Sequence, residues 1–234
     1  MRILITNDDG IEAEGIIRLA RMARELGEVY IVAPMHQCSG MSQKVTIFQP
    51  MRVEKRDFPV DVMGAWCVDG TPCDCVKLAV NCILDFKPDY IFSGLNEGCN
   101  MGFDITYSGT MGAAFASVME GIPAIAFSKD EKGSYDVCEA NMLALTKQCI
   151  AAGQGRGEVW NLNFPSCPLD EFKGVLWDRT PAPMQLYRDR FVFDGELYHS
   201  KSFMISIDTV PEGTDIHAVL SGCISAGKVK SPVM

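Results

Sequence analysis

The sequence is short of positive charge. Lysine and arginine number 21 against 30 aspartates and glutamates, a formal net charge of −9, and no basic block offsets that balance. A sequence-independent grip on DNA or RNA needs a basic face that displaces counterions, so duplex nucleic acid is excluded as a partner. No run reaches the ~18 apolar residues of a membrane span. The chain opens on strand-like residues followed by acids, so no secretory signal and a cytoplasmic location are expected. Histidine is scarce: His36, His199 and His217 are too scattered for a zinc helix. Cysteine numbers ten, yet no C-x-x-C pair occurs, and Cys73 and Cys75 form only a lone C-x-C. In a reducing compartment such thiols read as small buried hydrophobes. Also missing are a G-x-G-x-x-G after the first strand, a D-x-D at its end, internal repeats and low-complexity tracts. GCISAGKV (222–229) approaches a phosphate-binding P-loop, but Val229 stands where that motif needs Ser or Thr, and the motif is rejected.

What is present is a globular composition: 234 residues, 47% hydrophobic and 22% charged, enough for one large domain or a domain with an elaboration. RILIT (2–6) is apolar on both sides of the pleat, as a parallel strand covered on two faces requires. From Glu12 to Leu26 the apolar residues Ile16, Leu19, Ala20, Ala23 and Leu26 fall at helical spacing, and Gly27 closes the helix. EVYIVAP follows as a second strand, completing a βαβ unit. KVTIF (44–48), AWCVDGTP (65–72), DYIFSG (89–94) and PAIAFS (123–128) read as further strands. Helices are expected from about Cys73 to Leu84, from about Ala113 to Gly121 and from about Tyr135 to Ala151. VWNLNFP reads as one more core strand, and FVFDGELYH as a hairpin around Asp194 and Gly195. The expected fold is an α/β three-layer sandwich with a mainly parallel, Rossmann-like sheet and a C-terminal antiparallel hairpin or arm. Residues 1–157 form the core that carries the site. Residues 158–234 add the last core strand, the hairpin and the arm, all within one structural domain.

Ligands of open parallel sheets bind beyond the carboxyl ends of the strands, and three strands here end in polar text: NDDG, MHQCSG and SGLNEGCNMGFDITYSGT. Asp8 and Asp9 sit side by side at the mouth of an apolar strand. Helix capping accounts for one such acid; two adjacent carboxylates repel unless a cation or a raised pKa relieves them. Both readings stand on that dipeptide alone. Carboxylates together with a Ser39 hydroxyl and an Asn96 carbonyl suit a hard divalent ion, Mg²⁺ or Mn²⁺, better than zinc; taken singly, Ser39 reads as a turn residue and Asn96 as a loop brace. In SGTMGAA (108–114), the Ser108 and Thr110 hydroxyls flank Gly109 where a helix begins. That is either an ordinary cap or, with a cation nearby, an anion cradle. The small residues Gly112, Ala113 and Ala114 are expected to bring that helix close to the sheet.

RILITNDDGIEAEGI, VAPMHQCSG, VDGTPCDCVKLA, PDYIFSGLNEGCNMGFDITYSGTMGAA and GIPAIAFS, in this order, resemble the SurE family of stationary-phase survival proteins, which act as 5′/3′-nucleotidases. Weaker echoes continue in VWNLNFP, TPAPMQLYRDR and TDIHAVLSG. The resemblance implies hydrolysis of nucleoside 5′- and 3′-monophosphates, and of short polyphosphate in some members, with one divalent ion per subunit. It places the metal ligands on Asp8, Asp9, Ser39 and Asn96, and the phosphate contacts on Asn100, Ser108, Gly109 and Thr110. Asn100 is named only by the resemblance. Asp8 and Asp9 are the catalytic candidates; which of them orients the attacking water stays open, with Asp9 preferred. The resemblance also implies a homodimer or homotetramer built through C-terminal arms. Two departures stand out. Met35 and His36 follow VAP where the family usually carries an acid and often a basic residue, which bears on contacts around the cleft and on metal affinity. Cys223 replaces the aromatic of the late G-Y-x-S segment, which bears on the oligomer. A metal-dependent nucleotide-sugar transferase and a non-catalytic nucleotide sensor are the alternatives. The first predicts transfer that depends on an activated sugar with little phosphate release from AMP, the second binding without turnover.

Overall fold

Strand β1 (Arg2–Thr6) is buried from Ile3 onward, as its unbroken apolar run requires of a strand covered on both faces. The computed structural model describes residues 1–131 and 133–231. Helix α1 (Glu14–Ala23) turns Ile16, Leu19, Ala20 and Ala23 inward, and the chain returns as β2 (Glu28–Pro34), parallel to β1. The short strand β3 (Val53–Lys55) and β4 (Gly64–Val68) follow, then α2 (Pro72–Leu78), β5 (Tyr90–Glu97), α3 (Gly109–Met119), β6 (Ala124–Lys129), α4 (Asp136–Ala152) and β7 (Glu158–Phe164). Beyond them lie β8 (Val175–Trp177), the arm strands β9 (Tyr187–Arg188), β10 (Phe191–Phe193), β11 (Tyr198–Ser200) and β12 (Phe203–Met204), helix α5 (Asp215–Leu220) and β13 (Ile224–Lys230).

The main sheet runs β3-β4-β2-β1-β5-β6-β7-β13-β8. From β4 to β7 all neighbours are parallel; β3 is antiparallel to β4 and β13 antiparallel to β7. Helices α1 and α4 cover one face, with Ile16, Leu19, Met142 and Leu145 packed on Ile3, Ile5, Phe92 and Phe127. Helices α2 and α3 cover the other, where Val76 and Ala113 meet Leu4, Val32 and Ile91. This is the expected α/β sandwich, and the GCISAGKV segment is mostly strand β13 rather than a phosphate loop. Outside the sheet, β10 and β11 pair antiparallel around Asp194 and Gly195, and β12 pairs with β9.

Three local expectations are corrected. KVTIF (44–48) is coil, with Phe48 96% exposed. The sheet edge beside β4 is taken by β3 instead, and the Thr46 N–H and hydroxyl go to the Asp74 carboxylate at 3.0 and 2.7 Å rather than to a strand, a side-chain bond competing with the ladder. The helix expected to Leu84 is α2 to Leu78 continued by a π-turn over Ala79–Ile83. Finally, Ala113 and Ala114 do pack toward the sheet, but Gly112 serves another contact: a Cβ there would fall 2.1 Å from Ser42 O. The glycine lets the loop that carries Ser39 lie against α3.

Eight of the ten cysteines are buried and all ten, every one among the described residues, are free thiols. Burial pushes Cys73, Cys138 and Cys149 up to about 12, as expected of inert packing groups.

Candidate functional site

Chain order reverses at β1. From β1 the chain builds outward through β2 and β4, then returns to lay β5 against β1's other side and continues through β6 and β7. In such sheets the crevice opens at the carboxyl ends of the two strands flanking the reversal, here β1 and β5. Asp8 and Asp9 follow β1, and Asn96 lies at the end of β5. The NDDG turn between β1 and α1 is fixed by Asn7 Nδ2 donating to Gly10 O at 2.8 Å and by the Ile11 N–H donating to Pro34 O at 3.0 Å. Gly10 takes φ +99°, a conformation that favours glycine.

At that crevice lies a cleft of about 200 Å³ whose wall includes Asp8, Ser39, Asn96, Asn100 and Ser108. These residues come from three separate stretches of chain, so the fold gathers what the sequence spreads out. A larger cavity, about 540 Å³, lies between the 165–173 loop and the end of α5. It holds none of the predicted residues; the smaller cleft gathers them.

Asp8 is 3% exposed. Its Oδ1 accepts from the Thr110 hydroxyl at 2.6 Å and its Oδ2 from the Thr110 N–H at 3.1 Å. Burial is the main cause that raises its pKa to about 6; the Thr110 hydroxyl opposes the rise and the Asp9 charge adds to it. Asp9 is half-buried and accepts from the Glu97 N–H at 3.3 Å. Burial raises its pKa too, opposed by that N–H and reinforced by the Glu97 carboxylate. Neither acid caps the helix that follows it: α1 begins at Glu14 behind Ala13, with no side-chain cap. Asp8 instead meets the first turn of α3, far along the chain.

Asn96 donates Nδ2 to Gly98 O at 2.6 Å. A carbonyl can only accept, so the amide nitrogen is fixed there and Oδ1, the atom a cation needs, is left available. Ser39 is exposed on the loop after β2. Among the described residues no group of three or more His, Cys, Asp or Glu side chains is placed to hold a metal. The donor set expected from the sequence, Asp8, Asp9, Ser39 and Asn96, would be two carboxylates, a hydroxyl and an amide oxygen. Such all-oxygen sets suit Mg²⁺ or Mn²⁺ that keeps part of its water shell far better than zinc. Asp8, with its raised pKa, lies in the cleft wall and is the electrostatic complement of that fit; Asp9 stands next to it in the chain but outside that wall.

Ser108 is the N-cap of α3, and its hydroxyl accepts from the Met111 N–H at 3.0 Å. With Thr110 and Met111 amides engaged, Gly109 supplies the first-turn N–H that has no helical partner. A Cβ at Gly109 would sit 2.8 Å from Asp8 Cβ, so the glycine also lets α3 approach the acid. Thr110 is fully buried behind Asp8 and lies outside the cleft wall. At the departure after β2, Met35 packs against the core and His36 lines a neighbouring cavity of about 210 Å³; neither lines the cleft.

Several residues absent from the predicted set complete the surroundings. Glu97, Asp104 and Tyr107 line the cleft. Asp104 accepts from the Leu186 N–H at 2.8 Å, and Asp215 from the Gly102 and Ala182 N–H groups, both at 2.9 Å. These two acids fasten the loop after β5 to the C-terminal segment. Asn161 and Asn163 on β7 bond the backbone of Asn100. The sequence carries a signal for them: two amides at alternate positions of an otherwise apolar strand.

A Rossmann-like α/β sandwich with a polar, acid-bearing cleft at its topological switch point defines the class: an α/β protein whose crevice lies at the carboxyl ends of its parallel strands. The model of the family described as "Survival protein SurE" matches residues 3–184, and the chain belongs to that family. It is 41% identical over 183 residues to the 5′-nucleotidase SurE of Pelobacter propionicus, covering 76% of this chain and 72% of that protein. Against the 5′-nucleotidase SurE of Haemophilus influenzae it is 37% identical, covering 99% and 92%. The crystal structure of the SurE protein from Aquifex aeolicus superposes with a TM-score of 0.83 at 33% identity, over 98% of this chain and 93% of that one.

Proposed function

We propose that the protein is a divalent-metal-dependent phosphomonoesterase that hydrolyses nucleoside 5′- and 3′-monophosphates to nucleoside and inorganic phosphate. The relatives' name supports the 5′-nucleotidase part. The observation that carries the rest is the convergence of Asp8, Ser39, Asn96, Asn100 and Ser108 on one cleft. Asp8, Asp9, Ser39 and Asn96 would hold Mg²⁺ or Mn²⁺, one per subunit. When bound, that ion supplies Lewis acidity to a phosphoryl oxygen and lowers the pKa of water at the site.

The chain's own residues do the remainder. Asn100, Ser108 and the Gly109 N–H bind and orient the phosphate, and the N-terminal end of α3 favours its charge. Because those donors are fixed before the substrate arrives, they stabilise charge spreading over the equatorial oxygens without reorganising. Asp9 is less buried than Asp8 and lacks the Thr110 clamp, so it is the acid free to orient the attacking water or take its proton. Thr110 contributes by holding Asp8.

The C-terminal arm supports a homodimer or homotetramer: Phe191, Phe193, Tyr198 and Phe203 are each more than half exposed, Tyr198 to 73%, as suits an apolar surface awaiting a partner. Among the described residues no helix is long and apolar enough to cross a membrane, and ten free thiols suit the reducing cytoplasm.

The test is phosphate release from a panel of nucleoside monophosphates and short polyphosphate, after EDTA treatment and with magnesium, manganese or zinc added back. Release restored by magnesium or manganese is expected. Release unaffected by EDTA overturns the metal dependence. Saturable AMP binding with no phosphate over hours turns the protein into a nucleotide sensor, and turnover requiring an activated sugar makes it a transferase.

A further inference from the structure

Strand β7 carries two amides where an inner strand would ordinarily carry aliphatics. Asn163 is fully buried and Asn161 nearly so. Trp160, Leu162 and Phe164 face the core under α1 and α4, so the asparagines share the opposite face with Val159, which packs under α3. On β6 the residue in register with Asn163 is Ser128, also fully buried.

All of this polar surface converges on one residue. Asn163 Oδ1 accepts from the Asn100 N–H at 2.8 Å, and Asn163 Nδ2 donates to Asn100 O at 3.3 Å. Asn161 Nδ2 donates to the same carbonyl at 2.9 Å. The Asn100 side chain donates Nδ2 to Ser128 Oγ at 2.8 Å. The peptide of a buried loop residue is thus held from β7 at both its N–H and its C=O, and its side chain from β6. The orientation of the Asn163 amide follows from this: an N–H must meet its oxygen and a C=O its nitrogen. Satisfying two backbone groups of a buried loop calls for no more than two side-chain bonds. Here there are three, and Asn161 Oδ1 is left with no partner. An unpaired buried acceptor costs stability, so stability alone is a poor reason for this arrangement. Asn100 lines the cleft beside Asp8 and Ser108.

We propose that Asn161 and Asn163 are positioning residues for phosphate recognition, clamping the Asn100 peptide so that the Asn100 amide stays where the phosphoryl group binds. The proposal rests on the phosphomonoesterase reading of the cleft. It predicts that both residues act on turnover only through Asn100.

The experiment is a double-mutant cycle on nucleoside 5′-monophosphate hydrolysis, with N163A, N161A and N100A alone and N163A and N161A each combined with N100A. Inhibition by inorganic phosphate is measured alongside. N163A is expected to lower kcat/KM by about 30- to 100-fold, the scale of a misplaced binding group, and to weaken phosphate inhibition in parallel. In the N100A background the further loss is expected to be below about threefold, because the group being positioned is gone. Equal losses in both backgrounds mean that the asparagines merely support the fold and overturn the proposal. If N163A does not fold, N161A, which removes one bond, carries the same cycle. If the wild-type protein releases no phosphate, the phosphomonoesterase reading falls by itself. The clamp is then decided by amide hydrogen exchange: N161A or N163A must speed exchange at residues 98–104 and leave the rest unchanged, and unaltered exchange there overturns it.

Discussion

At the end of β4 the Asp74 carboxylate receives bonds from the Thr71 N–H, the Thr46 N–H and both threonine hydroxyls, and completes a reciprocal cap at the start of α2. At the end of β1 the Asp8 carboxylate receives two bonds, both from Thr110. Both acids are nearly inaccessible to solvent. Burial acts to raise both pKa values; at Asp74 the threonine bonds outweigh it and hold the group below the usual carboxylate value, while at Asp8 they do not and the pKa rises to about 6. One strand-to-helix junction has satisfied its acid internally. The other leaves a carboxylate with unspent acceptor capacity at the mouth of a cleft, which is what a cation site requires.

The largest consequence of that difference is catalytic. Asp8→Asn keeps the shape and can still bond Thr110, since a threonine hydroxyl both donates and accepts, but it removes a full charge. Its kcat/KM for AMP with magnesium or manganese is expected to fall by about 10²- to 10³-fold or more, with no loss of thermal stability in the metal-free protein. Near-normal turnover in that variant would end the cation-site interpretation of Asp8.

Next in size is the dependence of stability on pH, where the two acids have opposite signs. Asp8 binds its proton more tightly folded than unfolded, so its contribution to stability is fully present below the unfolded value of 3.8 and is lost as pH rises from there through about 6. Above that, metal-free protein carries a penalty on the order of 3 kcal/mol, which a dication held at the proposed site would offset. Manganese is therefore expected to raise Tm by several degrees at pH 7.5 and to lose most of that effect near pH 5, measured by calorimetry against EDTA. Asp74, whose pKa is lowered, contributes stability above the ordinary carboxylate range and loses it as pH falls through its folded value. A manganese shift equally large at both pH values contradicts the assignment.

Asp74→Asn completes the contrast. It breaks up a five-bond cluster with Thr71 and Thr46 and is expected to cost about 1–3 kcal/mol of stability. Turnover per folded molecule should stay within about threefold of wild type, since no bond of Asp74 reaches the cleft. Urea unfolding paired with activity per active site measures both quantities.

The pattern of legibility follows the same line. The strands β1, β2, β5, β6 and β7 are readable because unbroken apolar runs between turn residues have few other uses, and the hairpin because Asp-Gly favours its turn. KVTIF misleads because its composition is that of a strand while its Thr46 is committed to Asp74. The cleft residues could be collected because they all follow parallel strands, where ligands bind. What each then bonds was not readable: Thr110 finds Asp8 at a separation of 102 residues, and nothing local announces it. Asn161 and Asn163 stood in view, but their target, 61 and 63 residues away, did not.

Thr110 gives the smallest and most discriminating effect. The resemblance of SGTMGAA to the family's phosphate loop makes Thr110 a phosphate contact, whereas both of its donors here point to Asp8. Thr110→Val keeps the volume and the N–H bond but deletes the 2.6 Å hydroxyl bond, whose loss is worth about 1 kcal/mol. Because that bond opposes the rise in the Asp8 pKa, its removal should move Asp8 further from the ionised form and further from the behaviour of Asp74. If Thr110 works through the acid, manganese affinity weakens by about fivefold while KM for AMP at saturating metal is unchanged. If it works on phosphate, KM rises and metal affinity holds. A manganese titration of activity at two AMP concentrations separates the two, because only a metal effect disappears when manganese is raised.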